Sequence, residues 1–546
     1  MAVTSINRYQ FEKEIGKIDE KMEDRIAMLG NPIEKLTKDE LQIEVFPNRP
    51  DLLSYQGFKR ALLAFLGKKT GMQKYKLNKS NYKVFVDNSL KDIRPYTACT
   101  VIKDLKLDSE KIKELIEIQE KLHLTLGRKR RKLAIGIYPM EKIKFPVRFT
   151  ALEPDKIKFI PLDYEKEISG LEILQKHPTG REYAHLLSGK AKFPVFIDSE
   201  DKILSMPPII NSHTTGRVTE KTKEIFVECS GFNFNILSKC LNILVSALAD
   251  MGGSIYEIEV DYGKEKKLTP EFGIEKIQIS IDKINKLLGL DLKENDVKKL
   301  LEKMGYNYNK NIVEIPPWRV DILHEVDIAE DIAIAYGYEN FIPEIPEIST
   351  IGQEAPEEVI KNKISEILTG LNILEVSNYH LTTKNDQFEK MDEIEKSNFV
   401  ELENSKTDYN ILRKDLTHYL LKVFSENVNN EFPQRIFEIG RVFSLKDNSP
   451  HEKNNIALAI CPGNFTELKQ ILNYLFKMMG KSVQFEEPKE NPEYFIKGRV
   501  AEIKLENKAL GFLGEIHPRI LRNWKIRMPV ALFEMDFDDI MKSIPR

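Results

Sequence analysis

No CxxC pair occurs in this chain: its four cysteines, Cys99, Cys229, Cys240 and Cys461, are scattered. That spacing excludes a zinc ribbon and fits a reducing compartment. Long apolar runs are absent too; none approaches the ~20 residues a membrane-spanning helix needs. The opening MAVTSINRYQFEKEIGKIDEKM is polar and acidic, unlike a signal or transit peptide. Neither sign of charge dominates. A net charge of −3 over 546 residues leaves any nucleic-acid contact to local patches. Internal repeats and low-complexity segments are also lacking. A hydrophobic fraction of 41% supports real cores, and the length allows about three to five domains. The expectation is a cytoplasmic, multidomain α+β protein.

The most informative stretch is IPPWRVDILHEVDIAEDIAIAYGYENF, residues 315–341. A short strand signal ends at Pro316-Pro317, because proline removes a ladder donor. Ile328, Ile332, Ala335 and Tyr336 then form one apolar helix face, and Gly337 follows as a stop. Asp327, Glu330 and Asp331 stand at i, i+3, i+4 and share a patch, with Asp321 upstream able to fold back onto it. Carboxylates about 5 Å apart repel by roughly 3 kcal/mol per pair at an effective dielectric near 20. A helix N-terminus returns only about 0.3–1 kcal/mol for each acid. An all-oxygen set without His or Cys suits magnesium or calcium rather than zinc. A solvated acidic first turn has the same spacing, and the residues alone leave both readings open.

The chain divides into four expected segments. Residues 1–90 give a charged helical opening, a strand at 41–46, the turn Asn48-Arg49-Pro50-Asp51 and a helix for which Asp51 is a suitable N-cap. Residues 91–270 read as one α+β domain. In it a helix near 112–122 leads to Arg128, Lys129, Arg130, Arg131 and Lys132, then a strand at 133–138. Such a run can hold a phosphate backbone or be a plain solvated loop. His177 and His185 read as hydrogen-bonded structural groups, since no nucleophile elbow accompanies them. Strands are expected near 193–197 and 225–227, and a strong helix at 236–251. Residues 271–345 form a small winged-helix-like module closed by a Pro-rich link. Residues 346–546 read as a mainly antiparallel sheet with helices. Strands are expected at 375–381, 399–402, 435–443 (with an abrupt glycine at Gly440), 500–503, 510–516 and 530–536.

Taken in order, the motifs resemble the β subunit of phenylalanyl-tRNA synthetase, of the archaeal and eukaryotic type. They are NRPD (48–51), GRKRRKLAIG (127–136), HPTGREYAH (177–185), PPIINS (207–212), PWRVD…DIAED…YGY (317–338) and FEIGRVF (437–443). The resemblance implies an N-terminal domain, an editing-type domain, a DNA-binding-like module and a degenerate class II synthetase-like domain. It implies Mg2+ held by Asp321, Asp327, Glu330 and Asp331 near a subunit interface. In the editing-type domain the family pattern Asp-x-Thr-Gly-Thr-Asp is replaced by Glu228-Cys229-Ser230-Gly231-Phe232-Asn233, which keeps a carboxylate and a hydroxyl at the first and third places but has an amide for the last acid. Glu228 becomes the candidate acceptor for a substrate hydroxyl, with Ser230 and Ser205 to orient substrate or water. Glu228 and Ser230 occupy alternate strand positions and so point the same way.

A class II active site needs arginines on its second and third motifs to clasp ATP phosphates. Arg435 and Glu438 are a conceivable remnant of the second. The third is missing, because Gly498-Arg499-Val500 opens no arginine-led helix. The chain is therefore expected to pair with a catalytic α subunit, as an α2β2 heterotetramer that charges tRNA(Phe) with phenylalanine using ATP. Arg128, Arg130 and Arg131 are the candidate RNA contacts. A stand-alone hydrolase of mischarged tRNA and a non-enzymatic RNA-binding protein are the alternatives; neither requires the large synthetase-like domain.

Overall fold

A computed structural model describes residues 2–395 and 398–543 of the chain. Met1 and Arg546, the outer ends of the first and last expected segments, lie outside the described residues. The chain forms two compact units, Met1–Ile345 and Pro346–Arg546, which divide inside the Pro-rich link.

The first unit has the expected charged helices at Arg8–Glu14 and Glu20–Met28, preceded by the strand Ala2–Asn7, which pairs antiparallel with Glu40–Val45. Its alternating Thr4 and Ile6 face inward, so a polar, charged sequence still supplies a sheet face. The helix Tyr55–Phe65 is capped by Ser54, which accepts the Gly57 N–H at 3.0 Å, and not by Asp51. Asp51 is instead drawn one turn earlier by Arg49, at 2.9 Å through each of two bonds.

Strands Leu77–Asn78 and Lys83–Val86, which the sequence grouped with the first segment, pair with Ser254–Asp261 of the second. They complete an 11-stranded sheet. Its run of neighbours ends Lys83–Val86, Ser254–Asp261, Tyr96–Lys103, Ile225–Gly231, Leu133–Pro139. The helix Phe234–Asp250 covers one face, burying Leu237, Leu241, Leu244 and Leu248 against Ile225, Val227 and Cys229. The opposite face of Ile225–Gly231 therefore carries Phe226, Glu228 and Ser230. Residues 275–336 place helices Ile281–Leu288, Glu294–Lys303 and Glu325–Tyr336 against a three-stranded sheet.

In the second unit, a seven-stranded sheet has the central order Gln434–Lys446, Ser449–Cys461, Ala531–Asp536, Lys508–Ile516, Phe495–Leu505. The strand expected over 435–443 runs from Gln434 to Lys446. Its glycine, Gly440, leaves room for Arg413, since a Cβ there would collide with the guanidinium. Two expectations fail here. Phe399–Leu402 is not a strand; only Glu401 makes a single bridge, to Ile411. The strand expected over 375–381 shrinks to Leu374–Glu375 and Leu381–Thr382. All four cysteines are free and buried. Among the described residues, no helix is long and apolar enough to cross a membrane.

Candidate functional site

Glu228 is only 1% exposed and sits opposite Gly136 on the neighbouring strand. A Cβ at Gly136 would come 2.5 Å from Glu228 Oε1, so the glycine makes room for the carboxyl. The Tyr138 hydroxyl donates to Ser205 Oγ at 2.7 Å and lies 3.3 Å from Glu228 Oε1. Ser205 and Glu228 are thus brought together through Tyr138. Ser230 also reaches the Glu228 side chain and ties it to Arg94. Its Oγ accepts from Arg94 Nε at 3.0 Å, and its carbonyl accepts from Arg94 Nη2 at 2.5 Å. Burial pushes the Glu228 carboxyl up to about 8, against the pull of Arg94. Burial likewise lowers Arg94 to about 10.

Glu228 lines a cavity of about 440 Å³ whose walls include Ile112, Ile135, Ile209, His177 and Asn211. Two buried polar atoms of its lining residues have no hydrogen-bond partner: Glu228 Oε2 and His177 Nδ1. His177 Nε2 donates to the Leu162 carbonyl at 3.1 Å, the hydrogen-bonded role its sequence context suggests, and its Nδ1 is left without a partner. His123 also lines the cavity but is already engaged, since its Nε2 accepts the Ile135 N–H at 2.8 Å. His185 is exposed and rests on its own helix, Nδ1 3.1 Å from the Glu182 carbonyl.

The acids of the 321–331 stretch line a second cavity, of about 270 Å³, together with Arg49 and Arg319. Arg319 holds Asp321 by two bonds, Nε to Oδ1 at 2.9 Å and Nη2 to Oδ2 at 2.7 Å. The same Nη2 donates to Asp331 Oδ2 at 2.7 Å, and the Tyr306 hydroxyl donates to that oxygen as well. Burial would raise the Asp321 carboxyl, but Arg319 outweighs it and holds it below its ordinary value. Asp327 Oδ2 accepts the N–H groups of Leu323 and His324 at 2.8 Å each, capping the helix. Glu330 is exposed. Among the described residues, no group of three or more His, Cys, Asp or Glu is placed to hold a metal ion. The cation the sequence asks for at Asp321 and Asp331 is supplied by an arginine.

The basic run splits. Arg128, Lys129 and Arg130 all adopt positive φ, at 46°, 55° and 62°. That tight turn sends Arg130 inward, away from its neighbours. Its Nη1 donates to the Ile209 carbonyl at 2.8 Å and its Nη2 to Glu120 at 2.9 Å, while its guanidinium stacks 4.5 Å from the Tyr183 ring. Arg128, Lys129, Arg131 and Lys132 remain exposed.

In the second unit Glu438 is spent on Arg413, which is 1% exposed and donates to it at 2.6 Å. Asn378 Nδ2 donates to the other Glu438 oxygen at 2.7 Å. Arg435 pairs with Glu467 at 2.8 Å, and Arg499 with Glu515 at 2.6 Å. These three side chains are engaged by protein partners.

Two family models match the chain: the tRNA synthetase B5 domain over residues 277–338 and the phenylalanyl tRNA synthetase beta chain CLM domain over residues 342–537. The chain is 38% identical over 547 residues to the phenylalanine–tRNA ligase beta subunit of Archaeoglobus fulgidus, covering 98% of each. It is 41% identical over 500 residues to that of Pyrococcus furiosus, covering 89% of each. A crystal structure of an N-terminal fragment of the Pyrococcus horikoshii phenylalanyl-tRNA synthetase β-subunit matches with a TM-score of 0.59 at 39% identity. That match covers 61% of this chain and 99% of the fragment.

Proposed function

The chain belongs to the phenylalanine–tRNA ligase beta-subunit family, and from that premise we propose how its two units divide the work. Residues 346–546 serve a catalytic α subunit as a synthetase-like partner surface, within an α2β2 enzyme that joins phenylalanine to tRNA(Phe). ATP and phenylalanine bind on the α subunit. The observation that carries this is the engagement of Arg413 with Glu438 across the strand at Gly440. A side chain that must clasp ATP phosphates has to be free, whereas Arg413 is buried and held by Glu438. Co-expression tests the reading: the chain should co-purify with an α subunit and restore its phenylalanine charging. An α subunit that charges tRNA(Phe) equally well alone would overturn it.

A second activity is favoured by one specific observation, the two unpartnered polar atoms on residues that line one cavity. We propose that residues 91–270, with the strands at 77–86, clear tyrosine mischarged onto tRNA(Phe). Tyrosine differs from phenylalanine by one hydroxyl. A site built to hydrogen-bond that group discriminates far better than an apolar pocket does. Glu228 Oε2 and His177 Nδ1 are the polar atoms with hydrogen-bonding capacity to spare; Glu228, protonated below about 8, can donate to that hydroxyl, and Tyr138 ties Glu228 to Ser205.

We propose that magnesium binds at the acidic cavity through Asp327 and Glu330, because Asp321 and Asp331 are committed to Arg319. Mg2+ keeps several waters and needs only one or two carboxylates, and there it would supply positive charge against the excess of acids. The exposed cations Arg128 and Arg131 would add RNA affinity on the loop whose Arg130 lines the Glu228 cavity.

A further inference from the structure

Arg49 and Arg319 form a common wall between the acidic cavity and a third one, of about 140 Å³. The two arginines use the same clasp, each gripping an aspartate two residues on through Nε and Nη2: Arg49 with Asp51, Arg319 with Asp321. A third arginine, Arg60, closes the far side. Its Nη1 donates to Asp250 Oδ2 at 2.5 Å and to the Tyr75 hydroxyl at 3.0 Å. Its guanidinium lies 4.3 Å from the Trp318 ring centroid. All three forks are therefore fixed in place before any ligand arrives.

The donors and acceptors around this cavity do not balance. Asp51 and Asp250 line it, but all four of their oxygens already accept hydrogen bonds, Asp250 Oδ1 from Tyr75 at 2.6 Å. Arg60 Nη2 and Arg319 Nη1 are buried and have no partner at all. What the cavity has to spare is guanidinium N–H. Buried polar groups left unpaired point to a water or an ion, and rigid guanidinium forks match the oxygens of a phosphoryl group. The space is large enough for a tetrahedral oxyanion with accompanying waters.

We propose that this cavity binds a single phosphate-class oxyanion, with Arg60 Nη2 and Arg319 Nη1 donating to its oxygens. Two sources share that chemistry, free phosphate and a phosphate of bound RNA. The test is calorimetric titration of the full-length chain with inorganic phosphate against chloride at matched ionic strength. Saturable one-to-one phosphate binding is expected, together with a rise in unfolding temperature. Arg60→Lys keeps the charge and a partner for Asp250 but removes the spare N–H, so it should weaken phosphate binding at least tenfold. Arg60→Met should abolish it, and Arg60→Lys covers the case in which that variant fails to fold. No saturable binding by the unmutated chain, or unchanged affinity in Arg60→Lys, would overturn the proposal. Competition by tRNA would support the site with RNA as the source; phosphate bound undisturbed by tRNA would support it with the free ion.

Discussion

Arg319 Nη2 lies 2.7 Å from Asp331 Oδ2, which puts a permanent cation at the centre of an acidic cluster. The cluster is thereby neutralised from within at Asp321 and Asp331. Two consequences follow for how the module responds to metal and to mutation.

Chelation should leave the fold intact. The unfolding temperature of the full chain in excess EDTA should match that in magnesium, because Arg319 and not an ion offsets the buried acids. Arg319→Gln should destabilise by about 3–5 kcal/mol, since removing one partner strands a buried charge. Thermal unfolding with and without chelator reads both. A large loss of stability in EDTA alone would show that Arg319 does not suffice.

Metal binding should depend on the mouth of the cavity. Asp327→Asn with Glu330→Gln should remove magnesium from the assembled enzyme while the module stays folded. Metal analysis of the purified complex checks it, and unchanged content would assign the ion elsewhere.

The basic loop should separate into two behaviours. Neutralising Arg128 and Arg131 should weaken binding of cognate and other tRNAs about equally. It should also flatten the salt dependence by up to about 0.9 log unit for each phosphate no longer neutralised. Arg130→Ala should cost stability instead, about 1–3 kcal/mol, because it strands the Ile209 carbonyl and Glu120. Salt titrations and unfolding curves on the two variants distinguish the roles.

Glu228 should leave a signature in pH. Its carboxyl titrates near 8 when folded against an ordinary value of 4.5. Between those values the folded chain holds a proton that the unfolded chain has released, so stability falls as pH rises. Its contribution is complete below about pH 4.5 and lost on passing 8. Glu228→Gln should flatten that decline in unfolding temperature. In the assembled enzyme, Glu228→Ala should let tyrosyl-tRNA(Phe) persist while phenylalanine charging stays near normal. Clearance at the original rate would exclude Glu228 from the site.

Local pattern reached some of this and not the rest. The helix carrying Asp327, Glu330 and Asp331 was readable because its period and its glycine stop are local. Glu228 and Ser230 could be placed on one face by strand alternation alone. Their partners could not. Tyr138 and Arg94 reach Glu228 and Ser230 only through strand pairing between segments far apart in sequence. Arg130 looked like its four basic neighbours because nothing in a run of cations announces a positive-φ turn. Arg319 was hidden differently: one arginine beside several acids reads as ordinary surface charge until the fold buries it.

The central claim is that this chain carries no adenylate chemistry of its own, and phenylalanine-dependent exchange between pyrophosphate and ATP tests it most directly. The purified chain should show no exchange above background, and adding the α subunit should establish it. Robust exchange by the chain alone would contradict the account.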